Sequence, residues 1–291
     1  MKIFITGASG FIGSYLLERL VGHEILCLSR VQTLRVSPSG VQWFIGDLGE
    51  SESLALELKG FKPEVAIHLA WQGLPDYSKQ ICDLNVTYSL SLLSLLRQSG
   101  VKRIVVAGSC FEYGDLQGQL SETSRVEPSS DFSKAKLTIL RDFQTVCDEE
   151  QIELVWARIF YSFGPRQRNI ALLPSVYHAL ITGERPLIKN PGAAHDFIFI
   201  DDVATALVSL TTTNLISGVF NIGSGRFVSL AQFVNAIAKQ CGAKFRMELE
   251  DDIRGSWASV EKIVNSTGWR PRYSLSEGIE QTIRELAKSN N

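Results

Sequence analysis

The sequence predicts an α/β protein built on a doubly wound parallel sheet, because two patterns alternate through its first half. Short apolar runs at residues 25–28, 65–69 and 104–107 are typical of strands that are buried on both faces. Amphipathic segments at residues 84–96 and 132–146 predict the helices that cover such a sheet. Ligands of these sheets bind at the carboxyl ends of the strands, so the residues there are the first candidates for a site.

A glycine-rich turn follows the first apolar run, residues 3–5, and precedes a helical pattern. Gly7 and Gly10 allow a tight turn and a close approach to phosphate, and Gly13 lets the helix pack on the strand. The helix N-terminus then offers free N–H groups and a partial positive charge to an anion. This order predicts a Rossmann dinucleotide site rather than a plain turn, with cofactor contacts from Gly7, Ser9, Gly10, Phe11, Ile12 and Gly13.

The end of the second strand bears on which dinucleotide binds. It reads Ser29-Arg30 and lacks the acid that accepts hydrogen bonds from the adenosine ribose of NAD. A hydroxyl and a guanidinium can bind a 2′-phosphate by charge-assisted bonds, so we predict NADP (NADPH), with NAD as the alternative. The competing interpretation is that Ser29 and Arg30 only begin a solvated loop.

Two further strand ends complete the predicted cofactor cleft. Asp47 ends the third strand, where its carboxylate can accept the adenine amine, unless it caps a helix beginning near Ser51. The small Ala70 after the fourth strand lets the chain pass close to the pyrophosphate, whereas we expect His68 to lie within the sheet, satisfied by a neighbour. The cofactor contacts predicted here are Asp47, Leu48, Leu69, Ala70 and Trp71.

Composition excludes several classes of function. The net charge of −2 and the scattered Lys and Arg argue against a nucleic-acid partner, and no run approaches the length of a membrane span. The chain enters its first strand at once, without a signal-peptide layout. Five cysteines without C-x-x-C spacing suit reduced thiols in a cytoplasm. The histidines form no paired H-x-x-x-H motif, so no metal site is predicted.

After about residue 164 the pattern loosens into helices and short strands, among them a strand predicted over residues 196–200 and a helix predicted from Asp202. We predict a Rossmann NAD(P)-binding domain over residues 1–164 and a smaller mixed α/β substrate lobe over residues 165–291. Some later segments are expected to return to the first domain. The second lobe would close over a substrate.

The ordered motifs resemble those of the extended short-chain dehydrogenase/reductase superfamily, in its nucleotide-sugar epimerase, dehydratase and ketoreductase branch. The resemblance runs nearly end to end and includes T-G-x-x-G-x-x-G, Gly46-Asp47-Leu48, Asn85 and the segments 108–114, 158–165, 195–202, 220–225 and 268–271. It implies a catalytic Ser or Thr at the end of the fifth strand, which Ser109 matches, although that residue could instead only cap the strand end. It also implies a Y-x-x-x-K helix.

The tyrosine of that helix is where the chain departs from the pattern. Phe132 takes the tyrosine position with Lys136 one helical turn later, and the other register, Ser130 with Lys134, fits its surroundings less well. A phenol beside an ammonium can exchange protons near neutrality, whereas phenylalanine cannot. Phe132 could be an engineered Tyr-to-Phe change, a natural residue in an enzyme that uses another acid, or the mark of a catalytically silent relative. In each case Lys136 could bond the nicotinamide ribose.

The resemblance also bears on the branch. Dehydratases of the family carry an Asp-Glu pair where this chain has Cys110 and Phe111, so dehydration is not expected. The Ser29-Arg30 ending favours a cofactor that leaves as NADP over the retained NAD of an epimerase. The prediction is therefore an NADPH-dependent reductase of a nucleotide-linked 4-keto-6-deoxyhexose. An NAD-dependent 4-epimerase and a silent NADP-sensing binding protein are the alternatives.

The second lobe would bind the nucleotide-sugar substrate. Besides Ser109, the positions where the family places such contacts are Tyr161, Arg168, His195 and Arg254. His195 stands where relatives often have Arg, and Tyr161 where many have Asn. The family also implies a homodimer formed by the helices at residues 84–96 and 132–146.

Overall fold

The computed structural model describes residues 1–32 and 38–289. The strands in these residues are β1 (Lys2–Thr6), β2 (Glu24–Ser29), β3 (Val41–Ile45), β4 (Val65–His68), β5 (Arg103–Ser109), β6 (Gly118–Leu120), β7 (Glu153–Ile159), β8 (Tyr161–Phe163), β9 (Ala193–His195), β10 (Phe197–Phe199), β11 (Gly218–Ile222), β12 (Val228–Ser229) and β13 (Arg254–Ala258). The helices are α1 (Phe11–Arg19), α2 (Ser51–Phe61), α3 (Lys79–Ser99), α4 (Asp131–Glu149), α5 (Leu172–Ile181), α6 (Ile200–Thr212), α7 (Leu230–Gln240), α8 (Glu261–Thr267) and α9 (Leu275–Ser289). A 3-10 turn, Cys110–Tyr113, follows β5.

The main sheet has seven strands in the order β11-β7-β5-β4-β1-β2-β3. Every neighbouring pair is parallel. The strand order reverses between β1 and β4, which is where ligands of doubly wound sheets bind. The predicted α/β Rossmann fold class is therefore confirmed.

Both faces of this sheet are buried, as the continuous apolar runs require. In β1, Ile3 and Ile5 face one core with Leu16 of α1, whereas Phe4 faces the opposite core with Leu54 of α2. All of these side chains are inaccessible to solvent. Because successive strand residues point to opposite faces, each strand contributes to both cores.

The second half builds a smaller sheet and also returns to the first. A four-stranded sheet runs β12-β9-β13-β6, and β8 pairs with β10. Its edge strand β6 comes from the first half, whereas β11 of the second half completes the main sheet beside β7. The division at residue 164 stays a prediction. Across it, β6 and β8 of the first half pair with β13 and β10 of the second half, and β11 of the second half pairs with β7.

One predicted boundary in this half is wrong. The strand expected over residues 196–200 ends at Phe199, and the helix expected from Asp202 already begins at Ile200. The early start places Asp201 and Asp202 in the first helical turn, where carboxylates interact favourably with the helix dipole.

Within the described ranges, no helix is long and apolar enough to cross a lipid bilayer. The same residues contain no group of three His, Cys, Asp or Glu side chains placed to hold a metal ion. The five cysteines are all unpaired thiols.

Candidate active site

The glycine turn forms a cradle in which no larger side chains would fit. Gly7 has a φ of +77°, and a Cβ added there would lie 2.7 Å from the backbone nitrogen of Ala70. A Cβ on Gly13 would overlap the carbonyl oxygen of Gly7. Gly10 caps α1 without a side-chain hydrogen bond, so the N–H groups of the first turn face the cradle unblocked. This geometry fits a pyrophosphate held at a helix N-terminus.

A cavity of about 820 Å³ extends from this cradle along the carboxyl ends of the strands. Among the residues that the structure describes, its charged lining consists of Arg30, Arg166, Arg168 and the carboxylate of Asp47, so it favours an anionic ligand. The structure brings together every predicted cofactor residue except Lys136: Gly7, Ser9, Gly10, Phe11, Ile12, Gly13, Ser29, Arg30, Asp47, Leu48, Leu69, Ala70 and Trp71 all line the cavity.

At the end of the cavity where adenosine is predicted, the side chains of Ser29 and Asp47 also form hydrogen bonds with the backbone. The Ser29 hydroxyl donates to the carbonyl of Val31 at 2.8 Å, while Arg30 is exposed. The Asp47 carboxylate accepts from the N–H of Gly49 at 2.8 Å. Helix α2 has Glu50 at its N-cap, so Asp47 does not cap it.

His68 lies in the sheet between two hydroxyls, as expected. Its Nδ1 is 2.7 Å from Oγ1 of Thr6, and its Nε2 is 3.0 Å from Oγ of Ser89. Burial, with a smaller contribution from the Lys136 charge, lowers the pKa of His68 to about 3. A neutral, fully bonded imidazole here is structural.

Ser109 ends β5 and is outside the described lining of that cavity; the 3-10 turn holds it in place. Its hydroxyl accepts from the N–H of Phe111 at 3.2 Å, and its own N–H donates to Glu112 at 2.8 Å. The capping role that competed with the catalytic one is therefore present. The hydroxyl proton stays available to a ligand, because the cap uses the oxygen only as an acceptor.

Phe132 stands at the centre of an aromatic cluster. Its ring centroid is 4.8 Å from Trp71, 5.2 Å from Tyr77 and 6.2 Å from Phe111, each pair edge to face. Such pairs stabilise the packing by about 0.5–1.5 kcal/mol beyond their buried area. Helix α4, which carries Phe132, begins with a capping box between Ser130 and Ser133.

Lys136 is the lysine that α4 turns inward. It is 8% exposed, whereas Lys134 of the competing register faces solvent. Its Nζ donates to the carbonyl of Ala107 at 2.8 Å and lies 4.4 Å from the Trp71 ring. Burial lowers the pKa of Lys136 to about 8, with the charge of Glu112 opposing the shift. The ammonium is charged at neutral pH, with Trp71 covering one side of it.

A buried charge network behind Ser109 was not anticipated as such. Glu112 is fully buried and accepts from Nε of Arg158 at 2.7 Å and from Nε1 of Trp156 at 3.0 Å. The Arg158 guanidinium lies 4.5 Å from the Tyr113 ring. The available sequence signal was Arg158 itself, because a charge inside an otherwise apolar buried strand needs a partner.

The predicted substrate residues separate into two places. The rings of Tyr161 and His195 stack at 3.9 Å, with Phe111 edge-on to Tyr161 at 5.6 Å. Burial lowers the pKa of His195 to about 4 and raises the pKa of Tyr161, so both are neutral at pH 7. Arg254 is exposed and pairs with Asp252 at 2.6 Å. Arg168 lines the cofactor cavity instead.

Three features define the extended short-chain dehydrogenase/reductase class: a doubly wound sheet, a phosphate cradle at its switch point, and a strand that ends in a serine and is bonded by an inward lysine. The family model described as "NAD dependent epimerase/dehydratase family" matches residues 3–223. The chain belongs to this family. Its known members include enzymes that act on nucleotide sugars.

Individual relatives span most or all of the chain. A UDP-glucose 4-epimerase of Mycolicibacterium smegmatis is 28% identical over 97% of this chain and 97% of its own length. A dTDP-6-deoxy-L-talose 4-dehydrogenase (NAD(+)) of Aggregatibacter actinomycetemcomitans is 27% identical over 84% of this chain and 93% of its own. The structure of a Thermotoga maritima UDP-glucose 4-epimerase with UDP-glucose superposes with a TM-score of 0.89 at 22% identity, covering 100% of both chains.

Proposed function

We propose that the protein reduces a nucleotide-linked 4-keto-6-deoxyhexose with NADPH. The observation that carries this proposal is a group of aromatic rings linked to Ser109 through Phe111. The N–H of Phe111 bonds the Ser109 hydroxyl, and its ring lies 6.2 Å from Phe132 and 5.6 Å from Tyr161. These rings suit the methyl group of a 6-deoxy sugar. Cys110 and Phe111 cannot protonate and expel a hydroxyl, so the same site does not suit dehydration. One relative, the 4-dehydrogenase, is named for the reverse oxidation on a dTDP-linked 6-deoxy sugar.

When bound in the cradle of Gly7, Gly10 and Gly13, the nicotinamide dinucleotide would supply the hydride. The Ser109 hydroxyl would donate a hydrogen bond to the ketone oxygen and so orient the carbonyl. The Lys136 ammonium would bond the nicotinamide ribose. The phenyl ring of Phe132 carries no proton for the nascent alkoxide, so with this residue the proton must come from another donor.

We propose NADP over NAD on the basis of Ser29 and Arg30. Arg30 lines the cavity and is exposed, and no acid follows Leu28 at this strand end. NAD is the alternative, supported by the NAD(+) that the Aggregatibacter relative is named for. Calorimetric titration with NADP⁺ and NAD⁺ decides between them. Tighter NAD⁺ binding would contradict the NADP assignment.

A second candidate is an NAD-dependent nucleotide-sugar 4-epimerase. The Mycolicibacterium relative, 28% identical over nearly its full length, favours it. Such an enzyme recycles its cofactor, so it would retain NAD through purification and consume no NADPH in turnover. Bound NAD released on denaturation would support this candidate.

A third candidate, a catalytically silent NADP-sensing protein, is favoured by Phe132. The decisive experiment compares the protein with Phe132→Tyr, using NADPH and a 4-keto-6-deoxy sugar nucleotide. We expect Phe132→Tyr to raise the rate about 10²- to 10⁴-fold, the usual contribution of a general acid. Phe132→Leu, which has no hydroxyl either, is the control. Equal turnover by the two variants would show that another acid acts. If neither variant nor the unaltered protein turns over the substrate, the silent NADP-sensing protein is supported.

Two further properties are proposed from family membership. The protein would be a cytoplasmic homodimer, with α3 and α4 of each subunit forming a four-helix contact. Light scattering at micromolar concentration checks the mass. A monomer would contradict the dimer.

A further inference from the structure

We infer that Arg168 binds the pyrophosphate of the dinucleotide cofactor, not the diphosphate of the sugar nucleotide, and that Arg166 fixes the loop that carries it. The inference rests on the cofactor part of the proposed function. It reassigns a residue that the family resemblance placed on the substrate side. The loop concerned runs over residues 165–171, between β8 and α5.

The loop is tied to α1, the helix whose N-terminus forms the phosphate cradle. Arg166 donates from Nη1 to Glu18 at 2.7 Å, and its guanidinium lies 4.6 Å from the Tyr15 ring. Tyr15 is about one helical turn from Phe11, the first residue of α1. Arg166 holds a φ of +69°, which is unfavourable for any residue but glycine. Such strain persists where surrounding contacts over-determine the backbone, and it clusters at ligand clamps.

The far end of the loop is also fixed. Gln167 donates from Nε2 to the carbonyl of Ser162 at 3.0 Å, and the N–H of Ala171 donates to the carbonyl of Arg168 at 2.9 Å. Gln167, Arg168 and Ala171 line the same cavity as the glycine cradle. The loop therefore forms a wall of the cofactor cleft.

Charge accounts for what Arg168 can do there. A pyrophosphate diester carries two negative charges, and a helix N-terminus offers only about half a positive charge. Of the cavity's guanidinium groups, Arg166 is paired with Glu18. Arg168 has no carboxylate within ion-pair distance in the described part of the chain, and neither has Arg30, at the adenosine end. Arg168 is the unpaired cation on the loop anchored to α1.

The other predicted substrate residues point to the same assignment. The stacked pair Tyr161 and His195 is outside the described lining of this cavity, as is Arg254. Arg168 alone of that set shares the cavity with the cradle. If Arg168 bound the substrate, it would act apart from Tyr161, His195 and Arg254, which are predicted to bind the same ligand.

The test compares Arg168→Gln with Arg30→Gln by calorimetric titration, using NADP⁺, NAD⁺, UDP and dTDP as ligands. Both dinucleotides have the pyrophosphate, so Arg168→Gln should weaken them equally, by about tenfold or more, and leave UDP and dTDP unchanged. Arg30→Gln should weaken NADP⁺ alone. Arg168→Lys, which keeps the charge but not the planar fork, should recover part of the loss.

Four results would overturn the inference. Arg168→Gln could weaken UDP or dTDP and spare the dinucleotides, which would return Arg168 to the substrate. It could change no affinity, or lower all of them together with the melting temperature, which would make it a residue of the fold. If the unaltered protein binds neither dinucleotide, the proposed function fails as well. Unchanged dinucleotide binding in Arg168→Gln overturns only this inference.

Discussion

The candidate site has two parts that differ in what carries their chemistry. We call the glycine cradle the phosphate end, and the surroundings of Ser109, Phe132 and Lys136 the reaction end. At the phosphate end, the backbone of Gly7 and Gly13 and the N-terminus of α1 form the cradle. At the reaction end, side chains decide: the ring of Phe132 where a phenol is expected, and an ammonium at Lys136 partly covered by Trp71. A backbone site survives many sequence changes outside its glycines. A site built from side chains depends on single atoms, since Phe132 lacks the hydroxyl that a tyrosine at this position would supply.

The largest effect is expected where the reaction end is anchored. Glu112→Gln should lower the free energy of unfolding by about 3–5 kcal/mol, because it leaves the buried Arg158 charge uncompensated. Denaturant unfolding measures this. Glu150→Gln breaks an exposed pair with Arg97 and is the matched control, with about 1 kcal/mol or less expected. A loss as small as the control's would mean that the buried pair of Glu112 and Arg158 contributes no more to stability than an exposed pair.

At the phosphate end, Gly13→Ala should weaken dinucleotide binding by about 10- to 100-fold. Its Cβ would overlap the Gly7 carbonyl and force the cradle apart, a strain of about 1–3 kcal/mol. Calorimetry with NADP⁺ checks the affinity. Gly60→Ala in α2 meets no atom within 4 Å and should leave binding unchanged. Equal affinities for the two variants would contradict a backbone-built cradle.

A smaller effect on dinucleotide affinity tests whether Lys136 of the reaction end contacts the cofactor bound at the phosphate end. Dinucleotide affinity should fall by up to about tenfold as pH rises through about 8, because the ammonium loses its proton there and can no longer donate as a cation. Lys136→Met should remove this dependence, and Lys134→Met, an exposed lysine, should keep it. A flat profile in the unaltered protein would mean that Trp71 separates Lys136 from the cofactor.

The smallest effect concerns the loop over residues 165–171. Glu18→Gln removes the partner of Arg166 without altering the cavity lining, so NADP⁺ should dissociate about two- to fivefold faster in stopped-flow measurements. Glu280→Gln breaks a comparably exposed pair with Arg284 and serves as the control. Identical rates in both variants would show that the loop keeps its place without the ion pair.

Much of the fold could be predicted because local patterns determine it. Residues 3–5 and the glycine turn predict β1, the cradle and α1, since all three elements depend on near neighbours along the chain. The register of Phe132 and Lys136 also follows from helical spacing, and the burial of Lys136 agrees with it. These features need no knowledge of distant residues.

Other features depend on contacts between distant parts of the chain. Trp71 covers Lys136 across 65 positions, and Glu112 pairs with Arg158 across 46. Arg166, two positions before Arg168, has a left-handed backbone, which no local residue type suggests. The start of α6 was missed because β10 and the helix share one apolar run.

The reciprocal placement of β6 and β11 has a practical consequence. Each half contributes a strand to the sheet of the other. A fragment ending at residue 164 would therefore lack β11, one neighbour of β7, and would leave β6 without β13. The unpaired strand edges of this fragment would promote aggregation, so it would not serve as an independent nucleotide-binding domain. Chimaeras that exchange substrate specificity should therefore transplant loops onto the intact chain.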